Sequence, residues 1–240
     1  MKILVCISSV PDTTSKINFT ADKSAFDKNG IQWVINPLDE FALTKAVKLQ
    51  ETQGATVTLV TVGDAAVEAV MRKALAIGAN DAVRINTEPK DSLTVAKEIA
   101  KVAQEGGFDL ILCGKESLDY NGGAVPGMVA QLVNQPFVNA SVGLEINGSD
   151  ATVVREIEGG KETVSLKLPA VIARKKKKVE EKDLIIPNMR GIMTDRTKPL
   201  TVKEPTETDL KVKAVSFDSV PARAQVKLVS ADNLDELVRL

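Results

Sequence analysis

Residues 114–127, GKESLDYNGGAVPG, carry the densest potential chemistry in this 240-residue chain. They follow an apolar run, FDLILC, and open onto a helical pattern. Glycines at 114, 122, 123 and 127 let backbone amides approach an anion closely, and a helix N-terminus adds its dipole. A phosphate suits such a loop; a flexible strand-to-helix turn is the competing reading. Other chemistry is thinly supplied. The chain has no histidine, which removes Ser-His-Asp and Cys-His nucleophile systems and histidine-ligated metals. The two cysteines, Cys6 and Cys113, sit in apolar runs outside any CxxC, so buried reduced thiols and no metal site are expected. One Trp and one Tyr give no stacking platform for single-stranded nucleic acid. Neither GxGxxG nor the P-loop pattern occurs. No residue is assigned a catalytic role.

The elements that must position the loop alternate between strand and helix. Residues 2–10, 56–62, 81–85 and 108–113 read as strands. Between them Leu38, Phe41, Ala42, Ala46 and Leu49 share a helical face, with Asn36 as cap, Pro37 at the first position and Asp39 and Glu40 in the first turn. Asp64 can cap a second helix that stops at Gly78. Ser92 can cap a third that ends near Gly106 and Gly107, and a fourth spans about 124–133. This alternation implies an α/β fold, a parallel sheet between two layers of helices. Such sheets bind ligands beyond the carboxyl ends of their strands, near the topological switch point. The candidate site therefore comprises residues 6–14, 62–64 and 114–127.

Beyond residue 136 the pattern changes to strands at 137–146, 151–157, 162–168 and 170–173, with turns at Asn147-Gly148 and Gly159-Gly160. Residues 174–223 are polar and interrupted by Pro187, Pro199, Pro205 and Pro221, a stretch expected to bury little core. Its basic run 174–178 is answered by Glu180, Glu181 and Asp183, so a solvated face is favoured over a nucleic-acid tail. Within it Leu184, Ile185, Ile186, Pro187, Asn188 and Met189 form an apolar tip, readable either as a partner anchor or as packing onto the sheet. Residues 231–240 suggest a short amphipathic helix. Net charge is −1, and no apolar run reaches the roughly 20 residues of a membrane span. The expectation is a cytoplasmic protein with no nucleic-acid partner and no membrane insertion. Residues 1–223, with the hairpin 150–173 and the loop 174–198, are expected as one domain, and 224–240 as an appended arm.

Four ordered segments resemble the electron transfer flavoprotein beta family: the first strand ending in VPDT (10–13), INPLDE (35–40), GKESLD (114–119), and VVREIEGGKETVSLKLPAVIA (153–173). Residues 72–79, RKALAIGA, also resemble the family's second helix. The resemblance implies an adenine-nucleotide-hydrolase-like three-layer α/β/α domain with an added hairpin region and an extended C-terminal arm. It implies an electron carrier rather than an enzyme, paired with an alpha subunit that holds most of a redox-active FAD. This subunit would hold AMP, or a second FAD in electron-bifurcating members. The nucleotide would lie against Cys6, Asn36, Pro37, Leu38, Asp39, Val62 and Gly63. Its phosphate would meet Asp119, Tyr120, Asn121, Gly122, Gly123, Ala124, Val125, Pro126 and Gly127. Asp12 and Thr13 would approach the alpha-bound flavin. The tip 184–189 would dock acyl-CoA or other dehydrogenases, with Ile186 where the family has its anchoring Leu. A quinone-linked oxidoreductase would take the electrons onward, as in fatty acid oxidation. The family's loop usually carries a Gln where this chain has Ala124-Val125-Pro126, which leaves AMP against a second FAD open. A stand-alone adenine-nucleotide-binding stress or signalling protein is the reading from another class.

Overall fold

A computed structural model describes residues 1–175, 184–206, 209–221, 223 and 225–239. The chain divides into two compact units: 1–15 with 30–213, and 16–29 with 214–240.

The first unit is an α/β/α sandwich around a nine-stranded sheet. Its strands are β1 (Lys2–Cys6), β4 (Thr56–Val62), β5 (Asp81–Ile85), β6 (Leu110–Gly114), β7 (Phe137–Asn147), β8 (Asp150–Ile157), β9 (Gly160–Lys167), β10 (Ala170–Arg174) and β11 (Leu200–Lys203). They lie in the order β11-β5-β4-β1-β6-β10-β7-β8-β9. From β11 to β7 every pairing is parallel. The last two are an antiparallel hairpin on β7. Two short strands, β2 (Ser9–Pro11) and β3 (Trp33–Ile35), pair separately.

Strand periodicity sorts side chains between two faces. Ile3, Val5, Leu110, Leu112 and Ile172 join one core cluster with residues of α1 (Pro37–Gln53) and α2 (Glu68–Ile77). Leu4, Cys6, Ile111, Cys113 and Val171 face the other, with residues of α3 (Ser92–Gly106) and α4 (Val125–Val133). The central strands are apolar on both faces because helices cover both. Each fully buried Leu or Ile there contributes about 1.5–3 kcal/mol.

Several expectations change. The apolar run 2–10 is two strands, because the chain leaves the sheet after Cys6 and Ser8 turns toward α1. Asp91, not Ser92, caps α3: its Oδ1 accepts from Thr94 N at 2.8 Å. Strand β10, the last of the run of strands read beyond residue 136, does not follow its hairpin in order but is inserted between β6 and β7. The polar stretch beyond it is not all surface either. It contributes β11 to the sheet edge, and Ile185 packs against the core. The basic run 174–178 and its acidic answer fall outside the described residues, except for Arg174, which is buried at the end of β10, and Lys175, which pairs with Glu156.

The segment after β11 is laid along α3 by two carboxylates. Glu98 accepts from Thr206 N, and Asp91 Oδ2 accepts from Lys211 N and Val212 N at 2.7 and 2.8 Å. A second fastening holds α5 (Met189–Thr194) and the turn that follows it against α2. Arg72 Nη1 donates to the carbonyls of Asp195 and Lys198, while Lys198 Nζ donates to those of Leu75 and Ala79. The two cations thus satisfy carbonyls left open where each helical segment ends.

In the second unit Phe19 bridges Phe26 across a small hairpin and stacks on Phe217 with 5.4 Å between ring centroids. Phe217 N donates to Lys23 O, and Lys23 pairs with Asp218. Its helix α6 (Leu234–Arg239) falls in the region read as a terminal helix.

The Asp91 fastening gives a direct test. The Thr94 amide first, and then those of Lys211 and Val212, lower its carboxyl below the usual range, so the fastening is present above that range and is lost only as pH falls through the depressed value. Asp91→Ala should make limited proteolysis within 204–213 at least about tenfold faster, by release of a strap held by local bonds. In the unaltered chain the rate should stay constant from pH 7 to pH 5.

Candidate functional site

Strand order fixes where a ligand can enter. The chain runs from β1 outward through β4 and β5, then crosses back to place β6 on the other side of β1. The switch point lies between the carboxyl ends of β1 and β6. Helix α1 begins there. Asn36 N donates to Ser8 O and Asn36 Nδ2 donates to Glu116 O at 2.9 Å, which ties the helix start to both loops. Asn36 is fully buried, and its Oδ1 has no acceptor role toward the described residues.

Asp39 sits one turn into α1 with 3% exposure. Its Oδ2 accepts from Ser8 N at 2.7 Å, and its Oδ1 accepts from Gly114 N at 2.8 Å. A carboxylate therefore joins the two backbones that border the switch point. Gly114 cannot be larger: a Cβ there would overlap Asp39 Oδ1 and lie 2.9 Å from Leu38 Cβ. Burial pushes the Asp39 carboxyl up to about 7, even though the Ser8 and Gly114 amides favour its charged form.

Beneath this tie Cys6 and Cys113 lie one step beyond the register pair Val5–Leu112. The Cys113 thiol is pushed well above its ordinary range, first by a hydrogen bond with Cys6 and then by burial. Cys113 is an unreactive thiol by this criterion. Val62 ends β4 beside the two cysteines, and Gly63 follows it. Gly63 O accepts from Arg84 Nη1 at 3.0 Å, and that buried guanidinium also pairs with Glu68. A Cβ on Gly63 would lie 2.6 Å from Val67, so the glycine permits close approach of the helix that follows.

The loop after β6 returns on itself, with Ser117 N donating to Gly122 O at 3.1 Å. Asn121 takes the left-handed conformation at φ 50°, Asp119 accepts from Tyr120 N, and Tyr120 is 72% exposed. The loop delivers the N-terminus of α4, where Ala124 provides no side-chain cap and Pro126 lies in the first turn. The end amides of a helix that lacks a side-chain cap suit an anion. Lys115 belongs to a neighbouring open crevice of about 510 Å³ with Glu156, Lys161 and Lys175, where Lys175 pairs with Glu156.

The structure thus gathers Cys6, Asn36, Pro37, Leu38, Asp39, Val62 and Gly63 with the loop 119–127 at one sheet edge. Asp12 and Thr13 follow β2; Asp12 Oδ1 accepts from Thr14 N and Oγ1, which lowers its carboxyl. The apolar tip is divided. Ile185 packs on the core and its N donates to Thr44 Oγ1, Leu184 and Pro187 are half-buried, and Ile186 and Met189 are 82% and 74% exposed. Asn188 caps α5 by accepting from Gly191 N. Sequence reading missed Arg84, Cys113 as a partner of Cys6, and the work of Asp39. The one legible signal was Arg84 itself, a charge inside the apolar run DAVRI. Among the described residues no cluster of three or more metal-ligating side chains occurs, and no helix is long and apolar enough to cross a membrane.

The Asp39 environment makes stability depend on pH with a definite sign. A carboxyl raised from about 4 to about 7 on folding binds a proton in the native state that the unfolded chain has lost. Stability from this group is therefore lost as pH rises through 7. Urea denaturation should show the chain about 2–3 kcal/mol more stable at pH 5 than at pH 8 from this group, and Asp39→Asn should remove most of that difference.

The electron transfer flavoprotein domain family matches residues 24–208. The chain is 33% identical to the electron transfer flavoprotein subunit beta of Bacillus subtilis (strain 168), covering 100% of this chain and 97% of the relative. It is 30% identical to the subunit beta of Dictyostelium discoideum, over 100% and 97%. It is 31% identical to that of Homo sapiens, over 98% and 95%. Full-length likeness of this extent, on a parallel sheet whose switch point carries the resembling segments, establishes that the chain belongs to the electron transfer flavoprotein family.

Proposed function

We propose that this chain is the beta subunit of a heterodimeric electron transfer flavoprotein, that it binds AMP at the switch point, and that it positions an FAD held mainly by an alpha subunit. The observation that carries the reading is the convergence of Asn36, Asp39, Cys6 and Gly63 with the uncapped start of α4 at one sheet edge.

The residues fit an adenine nucleotide. Cys6 and Val62 offer an apolar floor, Asn36 Oδ1 is a buried acceptor without a donor among the described residues, and α4 offers backbone amides to a phosphate. The amides of Gly122 and Gly123 stand in for the Gln side chain that the family's loop usually carries, a hydrogen bond worth about 1 kcal/mol. AMP is favoured over a second FAD because the anion site is one short helix end with no cation among the loop's first-turn residues. FAD supplies the redox chemistry when bound, and this chain makes and breaks no covalent bond. Its residues bind, orient and dock. Asp12 and Thr13 lie toward the flavin in this reading, and the arm 224–240 lies along the alpha subunit.

Docking of acyl-CoA or other dehydrogenases falls to Ile186 and Met189, with Ile192 and Met193 of α5 extending the exposed apolar surface. Exposed apolar anchors on a fastened support suit a transient partner. Onward transfer goes to a quinone-linked oxidoreductase, and the whole assembly works in the cytoplasm.

Coexpression with the neighbouring alpha-type gene, followed by chromatography of the released nucleotides, tests the assignment. One FAD and one AMP per yellow heterodimer are expected; two FAD would replace AMP by the bifurcating alternative, and no heterodimer would overturn the beta-subunit reading. Ile186→Ala should slow electron uptake from a dehydrogenase by about tenfold, the cost of one docking anchor, with flavin spectrum and heterodimer unchanged. Dissociation of the subunits would instead make Ile186 part of the alpha interface.

A further inference from the structure

We propose that Asp39 is a positioning residue for the nucleotide site and not a contact to the nucleotide: its carboxylate ties together the chain ends that border the switch point, and the site holds its ligand firmly only while that tie is ionised and intact. The proposal rests on the nucleotide reading above and assigns a separate task within it.

Both carboxylate oxygens are committed to backbone. One accepts from Ser8 N, immediately beyond β1, and the other from Gly114 N, at the end of β6. These are the two edges of the crevice, and Asp39 reaches both from a third element, the first turn of the 17-residue helix α1. Little of the residue is left for a ligand, since it is 3% exposed. The same turn sets the next contact outward: Asn36 holds Glu116 O, so the start of the loop 115–127 is aimed by the same four residues. Loss of the tie would free Ser8 and Gly114 together and let the loop swing from β1.

The tie is sensitive to protons by its chemistry. An ionised carboxylate accepts two charge-assisted bonds, whereas a protonated one turns one oxygen into a donor that faces another donor. Burial brings that change to about pH 7. The titratable and charged groups around it are Cys6 on β1, Cys113 on β6, Glu40 on α1, Lys115 after β6 and Arg174 on β10, in register with Gly114. The Cys113 thiol is held neutral, Glu40 is itself raised by burial, and Lys115 pairs with Glu116. A carboxylate retained where burial opposes its charge marks a position kept for something other than stability. Affinity and stability should therefore run in opposite directions with pH, which a merely structural residue would not produce.

The test measures AMP affinity of the full-length chain by equilibrium dialysis from pH 5.5 to 8.5, for the unaltered protein and for Asp39→Asn. Amide hydrogen exchange at Ser8 and Gly114 is followed in the same samples. In the unaltered chain the dissociation constant should rise by up to about tenfold per pH unit below the transition. Both amides should lose protection together over the same range. Asp39→Asn should bind AMP at least about tenfold more weakly at pH 8, with no step beyond the phosphate's own titration. Equal pH profiles for the two proteins, or unchanged amide protection, would overturn the proposal. If Asp39→Asn does not fold, the profile of the unaltered chain and its two amides decide alone. Absence of AMP binding at every pH would overturn the nucleotide reading and this role with it, whereas binding with a flat profile would overturn this role only.

Discussion

The backbone amides of Ser8 and Gly114 both donate to the Asp39 carboxylate, across the one gap that a parallel sheet with a reversed strand order must leave. At that gap β1 and β6 are neighbours, yet the chains leaving them diverge, and backbone donors just past the strand ends lose the ladder as a source of acceptors. A single side chain from α1 supplies both acceptors. The identity of Gly114 follows from this, because any Cβ would occupy the place of the carboxylate. The placement of the 115–127 loop follows too, since Asn36 from the same helix turn holds Glu116 O.

The same device recurs at other places where the chain departs from regular structure. Asp91 and Glu98 on the α3 side accept from backbone of the segment that leaves β11. Arg72 and Lys198 donate to carbonyls at the ends of α2 and of the turn after α5. Arg84 donates to Gly63 O. Buried backbone groups must be paired, and irregular segments cannot pair with themselves. These charged side chains are spent on geometry, which agrees with the proposed role of positioning rather than reacting.

Much of this architecture was legible locally. Asn36-Pro37 marked the start of α1, Gly78 and Gly107 marked helix ends, and the turns at 148 and 159 marked the hairpins. The alternation of strand and helix was enough to bring residues 6–14, 62–64 and 114–127 to one edge, because a parallel sheet has a single carboxyl edge; residues 36–39 were added only by the family resemblance. What local pattern could not reveal was order across the sheet. Insertion of β10 between β6 and β7 and addition of β11 beside β5 depend on pairings more than thirty residues apart in sequence, as in Ala170 with Leu110. The cap of α3 was displaced by one residue because Asp91 and Ser92 are both competent and only Asp91 also meets Lys211 and Val212. Asp39 read as an ordinary first-turn acid, since its partners lie 31 and 75 positions away.

The proposed nucleotide site of this electron transfer flavoprotein beta subunit is the switch point between β1 and β6. A crystal structure of the chain copurified with its alpha partner tests it most directly. Density is expected for an adenine nucleotide over Cys6 and Gly63, with its phosphate at the start of α4 and Asp39 still joined to Ser8 and Gly114. A nucleotide bound elsewhere on this chain, or an edge closed by side chains with no ligand between β1 and the 119–127 loop, would contradict it.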